Sequence, residues 1–189
     1  MSFNLLRYEL EPNPFAMGGM GEIYKATDKL SGNMVAIKTI NKLKLRVDDK
    51  TIRNFLKEAE TTFRLSKQTP HVVDVIDLGY EDDTYYMALE YVDGGNVLDQ
   101  GGNVTGTEAK QIVLQVLNGL KVAHTNKIIH SDISPDNILH DKIKKQFKLS
   151  DFGLLKILET KLVTRGQTML RGGKHLYMHP NHFYNPNLI

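Results

Sequence analysis

The segment Ile128-Ile129-His130-Ser131-Asp132-Ile133-Ser134-Pro135-Asp136-Asn137-Ile138-Leu139 sets an aspartate and an asparagine five positions apart in a proline-containing loop between apolar runs. An aspartate so placed can accept a hydroxyl proton, and an asparagine can hold a metal ion through its side-chain oxygen. Asp136 equally suits a capping or Asx-turn role. Leu149-Ser150-Asp151-Phe152-Gly153 brings a second carboxylate after another short strand. Upstream, Met17-Gly18-Gly19-Met20-Gly21 runs into a strand. Glycines there let backbone amides approach phosphate oxygens, although a plain turn uses the same residues. Lys38 ends the run Val35-Ala36-Ile37-Lys38. A strand lysine usually faces solvent, yet Lys38 shares a face with Ala36, whose small side chain leaves room for a flat ring. Its candidate partner is Glu58. The competing Glu60 lies ~200° around a helix from it, whereas Phe55 and Thr62 share Glu58's side, and Phe55 argues that this side points inward.

These residues need elements to position them. Stretches 22–27, 34–40, 72–77 and 84–91 are rich in Val, Ile, Tyr and Thr and read as strands. The turn Lys29-Leu30-Ser31-Gly32-Asn33 separates two of them as a hairpin would. Residues 48–67 switch to helical period, with Ile52, Phe55, Leu56, Ala59, Phe63 and Leu65 as apolar positions, before Pro70. Glycines from Asp93-Gly94-Gly95 to Gly101-Gly102 read as a hinge. A second helix starts near Thr105, spaced from Glu108 as in a capping box, with Ala109, Ile112, Val113, Val116, Leu117, Leu120 and Ala123 as its stripe. Short strands are expected around 138–139 and 147–149. The reading is an α+β chain, with a strand-rich part at 1–92 and a helical part at 93–189.

Composition narrows the setting. The 189 residues carry 24 Lys+Arg against 22 Asp+Glu, a net charge of +2 that gives no reason to expect nucleic acid. The basic runs at 42–46 and 142–145 read as solvated faces. Cysteine is absent, so disulfides, thiolate metal sites and cysteine nucleophiles are excluded, and a cytoplasmic setting fits. No apolar run of membrane-spanning length and no secretory signal are visible, so no membrane partner is expected.

In this order and spacing, the segments resemble a eukaryotic-like (Hanks-type) serine/threonine protein kinase domain over residues 8–180. The resemblance implies a bilobal fold that uses ATP and Mg²⁺ to phosphorylate Ser or Thr of a protein substrate. It implies that Gly18, Gly19 and Gly21 cover the phosphates while Ile23, Ala36 and Leu139 sandwich adenine. The hinge would be Glu90-Tyr91-Val92, with Leu89 as gatekeeper. Lys38 would hold the α- and β-phosphates and pair with Glu58. Asp132 would receive the substrate proton, and Asn137 and Asp151 would bind Mg²⁺. His130, Phe152, Val75 and Thr62 fall at the family's stacked spine positions, where a threonine is unusual. Two alternatives share parts of this pattern: a nucleotide-binding regulatory module (pseudokinase), and a small-molecule phosphotransferase of the aminoglycoside or choline kinase type.

Several positions depart from the family pattern. Ala16 replaces the first loop glycine, and His179-Pro180-Asn181 stands where Ala-Pro-Glu is usual. Ser131 replaces an arginine, so a phosphate on Thr160, Thr164 or Thr168 would lack its bidentate partner. The family's later helices do not follow within the 189 residues, and a homodimer or a partner is expected to cover the short helical part. Ser134 replaces the catalytic-loop lysine, while Lys174 aligns with a threonine that normally bridges to that lysine. Lys174 is read as supplying the displaced positive charge; a solvated loop lysine is the other reading. On the first reading, Lys174→Ala lowers the phosphate-transfer rate by about 10²–10³ in steady-state assays and leaves ATP binding unchanged.

Overall fold

Strands that alternate apolar residues build one antiparallel sheet: β1 (Tyr8–Leu10), β2 (Ala16–Gly18), β3 (Gly21–Asp28), β4 (Met34–Asn41), β5 (Val75–Glu81) and β6 (Thr84–Glu90). Its order is β1-β3-β4-β6-β5, with β2 paired to β3. The computed structural model describes residues 5–18, 21–41, 48–100, 104–152 and 156–157. β1 and β2 were not expected from the sequence, because strands of three residues are too short to display a period of two. The strand expected at 72–77 starts only at Val75; Val72 instead makes a parallel bridge with Leu149.

Gly21 is required where β2 turns into β3. Its φ is +147°, and a Cβ would lie 1.9 Å from the Thr39 carbonyl oxygen on β4. Only glycine allows the strands to close there.

Helix α1 (Asp49–Ser66) lies between β4 and β5 in the chain. Asp48 caps it, accepting the Thr51 N–H at 2.8 Å. Ile52, Phe55, Glu58, Ala59, Thr62 and Leu65 are buried. Phe55 and Ala59 pack with Ile40, Val75 and Met87 of the sheet. Phe63, expected among the apolar positions, is 47% exposed. Its place in the helical period puts it on the outer side, with the Lys67 ammonium over its ring at 5.0 Å.

Beyond β6 the chain runs alongside β8 (Ile138–Asp141). Gly94 donates to His140 O at 3.0 Å, and a Cβ there would lie 2.1 Å from that oxygen. Helix α2 (Gly106–Thr125) is capped by Thr105, whose hydroxyl accepts the Glu108 N–H. It buries Ile112, Val116 and Ala123 against Leu149, Phe147 and Phe152. The expected stripe is narrower than its sequence suggests: Ala109, Val113 and Leu117 are exposed. β7 (Ile128–Ile129) pairs with β10 (Lys156–Ile157), and β8 pairs with β9 (Gln146–Leu149). The basic run at 42–46 lies outside the described residues, while 142–145 form an exposed turn between β8 and β9. No helix among the described residues is long and apolar enough to cross a membrane.

Phe55 is fully buried and joins α1 to the sheet. Phe55→Ala is expected to cost about 3–5 kcal/mol of unfolding free energy, measured by urea titration, because the ring leaves a cavity between layers that cannot collapse fully.

Candidate active site

Every second residue of β4 faces α1. Val35 and Ile37 pack with Tyr8 and Tyr86 on the other side, which leaves Ala36, Lys38 and Ile40 on the α1 side. Lys38 is 6% exposed, and its Nζ donates to Glu58 Oε1 at 2.7 Å and to Asp151 Oδ1 at 3.0 Å. Glu58 reaches it because α1 turns Phe55, Glu58 and Thr62 inward, whereas Glu60 is exposed. One ammonium therefore joins β4, α1 and the turn after β9.

The electrostatics follow from that sharing. Burial works against the Lys38 charge, yet Glu58 and Asp151 outweigh it and hold its pKa above the ordinary lysine value. For Asp151 desolvation pushes upward, but Lys38 outweighs it and keeps the carboxyl below its usual range. Burial pushes the Glu58 carboxyl up to about 7 despite Lys38, with the Asp151 charge adding to the rise. Glu58 Oε2 is buried without a hydrogen-bond partner, an arrangement that disfavours the charged form.

The loop 130–137 is organised by one neutral imidazole. Burial lowers the His130 pKa. A neutral ring has one donor and one acceptor nitrogen. Nε2 lies 2.9 Å from Ser150 O, so it donates, and Nδ1 is left to accept the Asp132 N–H at 3.3 Å. The ring also packs on Phe152, with centroids 4.5 Å apart. Phe152 is fully buried, and Val75 and Thr62 are buried as well.

Asn137, in the 3-10 turn Pro135–Asn137, donates from Nδ2 to Asp132 O at 2.7 Å and to Asp132 Oδ2 at 3.1 Å. Both donors are thus committed to Asp132, and the amide oxygen remains as acceptor. Ser131 and Asp151 take positive φ, +67° and +59°. The Ser131 and Ser134 hydroxyls are buried without partners.

Around this centre, Ile23 pairs in register with Lys38, and Ala36 with Leu89. Leu139 on β8 is bridged to Asn96. Gly18 faces Gly21 across β2–β3. Gly19, Lys174, Thr160, Thr164, Thr168 and residues 179–181 lie outside the described residues.

The donor set suits a hard cation: the Asp151 carboxyl is held below its usual range and is 44% exposed, and among the described residues no donor takes up the Asn137 side-chain oxygen. The chain matches the family model described as the protein kinase domain over residues 15–185. The chain belongs to the protein kinase domain family. It is 36% identical over 166 residues to the serine/threonine-protein kinase PrkC of Bacillus subtilis, covering 86% of this chain and 25% of that protein. To the probable serine/threonine-protein kinase PknB of Lactococcus lactis it is 32% identical over 167 residues, 86% of this chain and 26% of that protein. A eukaryotic relative, the cell division control protein 2 homolog 3 of Trypanosoma brucei, is 32% identical over 172 residues, covering 84% and 53%. The chain spans about a quarter of the length of the bacterial relatives.

The side chain that sequence reasoning missed in this kinase domain is Lys148. It is 5% exposed on β9 and donates to Glu90. In sequence, Gln146-Phe147-Lys148-Leu149 looks like a strand whose polar residues face water, and nothing local signals an acidic partner 58 residues away.

A carboxyl whose pKa rises on folding binds its proton more tightly in the native state. Stability therefore falls as pH climbs from the ordinary value of 4.5 to about 7. Glu58→Gln removes that titration. Urea unfolding of the variant across this range is expected to lack the decline that the parent shows, and an equal slope in both proteins would assign the decline to other groups.

Proposed function

We propose that this kinase domain transfers the γ-phosphate of ATP to Ser or Thr hydroxyls of a protein substrate, with Mg²⁺ as cofactor. The observation that carries the reading is the buried Lys38 ammonium held between Glu58 and Asp151. A buried cation with a half-exposed carboxylate beside it is a poor structural device but a prepared seat for phosphate and metal. The names of PrkC and PknB as serine/threonine kinases support the hydroxyl acceptor.

In this reading Lys38 binds the α- and β-phosphates, and Glu58 fixes where its ammonium sits. Gly18, Gly19 and Gly21 offer backbone N–H groups over the phosphates. Ile23, Ala36 and Leu139 close on adenine, whose edge meets the hinge Glu90-Tyr91-Val92 beside the gatekeeper Leu89. The strand-rich part, 1–92, and the helical part, 93–189, form the two walls of the cleft. Asp132, held by His130 and Asn137, receives the proton of the substrate hydroxyl while its oxygen bonds to the γ-phosphorus. The bond from that phosphorus to the β–γ bridging oxygen breaks, and ADP leaves. Asn137 and Asp151 hold Mg²⁺, which neutralises developing charge on the phosphates when bound.

Lys174 supplies a positive charge in place of the residue lost at Ser134. A cytoplasmic setting, where ATP is available, suits this activity. The exposed Val113, Leu114 and Leu117 on α2 support a further covering layer there, supplied by more of this chain, a second copy or a partner.

The test combines transfer with binding. With Mg-ATP and a generic basic protein, the parent should transfer phosphate, and Asp132→Ala should lower the rate by about 10²–10⁴. Both proteins should show the same ATP-induced rise in melting temperature. A nucleotide-induced rise with no transfer by the parent would instead identify a regulatory module.

A further inference from the structure

Lys148 lies three residues before Asp151, and the strand that carries it is packed so that its ammonium cannot reach bulk water: the side chain is 6% exposed. Nζ donates to Glu90 Oε1 at 2.5 Å. The same carboxylate oxygen accepts the Asp74 N–H at 2.8 Å, and the Glu90 N–H donates to Asp74 O at 2.9 Å. Glu90 Oε2 faces the Lys144 ammonium at 3.5 Å. The Asp74 carboxylate is held in turn by Lys67 Nζ at 2.7 and 2.9 Å and by Ser66 Oγ at 2.6 Å. An unbroken polar chain therefore runs from the end of α1 through Asp74 and Glu90 to β9, and along β9 to Asp151.

Burying this ammonium adds little stability over an apolar side chain of similar size. What it adds is geometry. Lys148 is the buried side chain that ties the end of β6 to the strand leading into Asp151, alongside the longer contact from the half-exposed Lys144, and it is the register partner of Leu139 on β8. We propose that Lys148 is a positioning residue for the nucleotide: by gripping Glu90 it fixes the peptide groups of 90–92 relative to Leu139 and Asp151. Lys148 touches no reacting atom in this arrangement. The inference rests on the reading above that ATP occupies this cleft.

Two quantities test it on the full chain: the Kd for Mg-ADP by calorimetry, and KM and kcat for ATP in the transfer assay. Lys148→Met should weaken Mg-ADP binding and raise KM by about tenfold, the size of one coupled contact, with kcat nearly unchanged. Lys148→Arg should restore most of the affinity, because the cation reaches the same carboxylate. Lys148→Met combined with Glu90→Gln buries no unpaired charge, so it should recover the parent's melting temperature while its nucleotide affinity stays low. Parental affinity in Lys148→Met, or in that double variant, would overturn the inference while leaving the nucleotide reading intact. A parent protein that binds no Mg-ADP would overturn both.

Discussion

The structure turns on a single buried ammonium. Lys38 has almost no access to water, and a charge in that position persists only if carboxylates meet it. Glu58 comes from a helix and Asp151 from the turn after a distant strand, 20 and 113 residues away in sequence. The site can thus form only when α1 sits correctly on the sheet and β9 sits correctly below it. Phe55, Ala59 and Val75 secure the first contact, and Leu149 and Phe152, packed on α2, secure the second.

Sharing the cation between two acids also divides their roles. Asp151, half-exposed and ionised, is available to a ligand. Glu58, buried and drawn toward its neutral form, is a partner for Lys38 and for nothing outside the protein. The loop 130–137 follows the same logic with a neutral group at its centre. His130 spends one nitrogen on Ser150 and the other on the Asp132 backbone, so the two carboxylate-bearing segments are tied through one ring. The left-handed backbone at Ser131 and Asp151, each at an expense of about 1–3 kcal/mol, is tolerated because these bonds over-determine the loop.

Much of this was legible along the chain. Helical phase placed Glu58 beside Phe55 and away from Glu60, and strand alternation put Lys38 on the face of Ala36. Thr105 caps α2 where its spacing to Glu108 announced it, whereas the Asp48 cap of α1 came to light only in the structure. Other features were not legible. Phe63, Val113 and Leu117 fit an apolar period, yet they face outward, since the width of a buried stripe depends on what packs against it. The short strands β1 and β2 have no period to read, and they exist because β3 offers them a paired edge.

The sequence by itself determined the chemistry available: which residues can carry charge, accept protons or leave room for phosphate, and in what order they occur. It also determined local structure wherever period and caps agree, because those signals act between near neighbours. Tertiary structure alone decided which charges meet. Lys148 shows the difference: its neighbours mark it as a surface lysine, but the packing of β9 beneath β6 delivers it to Glu90. Pairing between residues so far apart depends on how whole elements pack, and no local pattern records that.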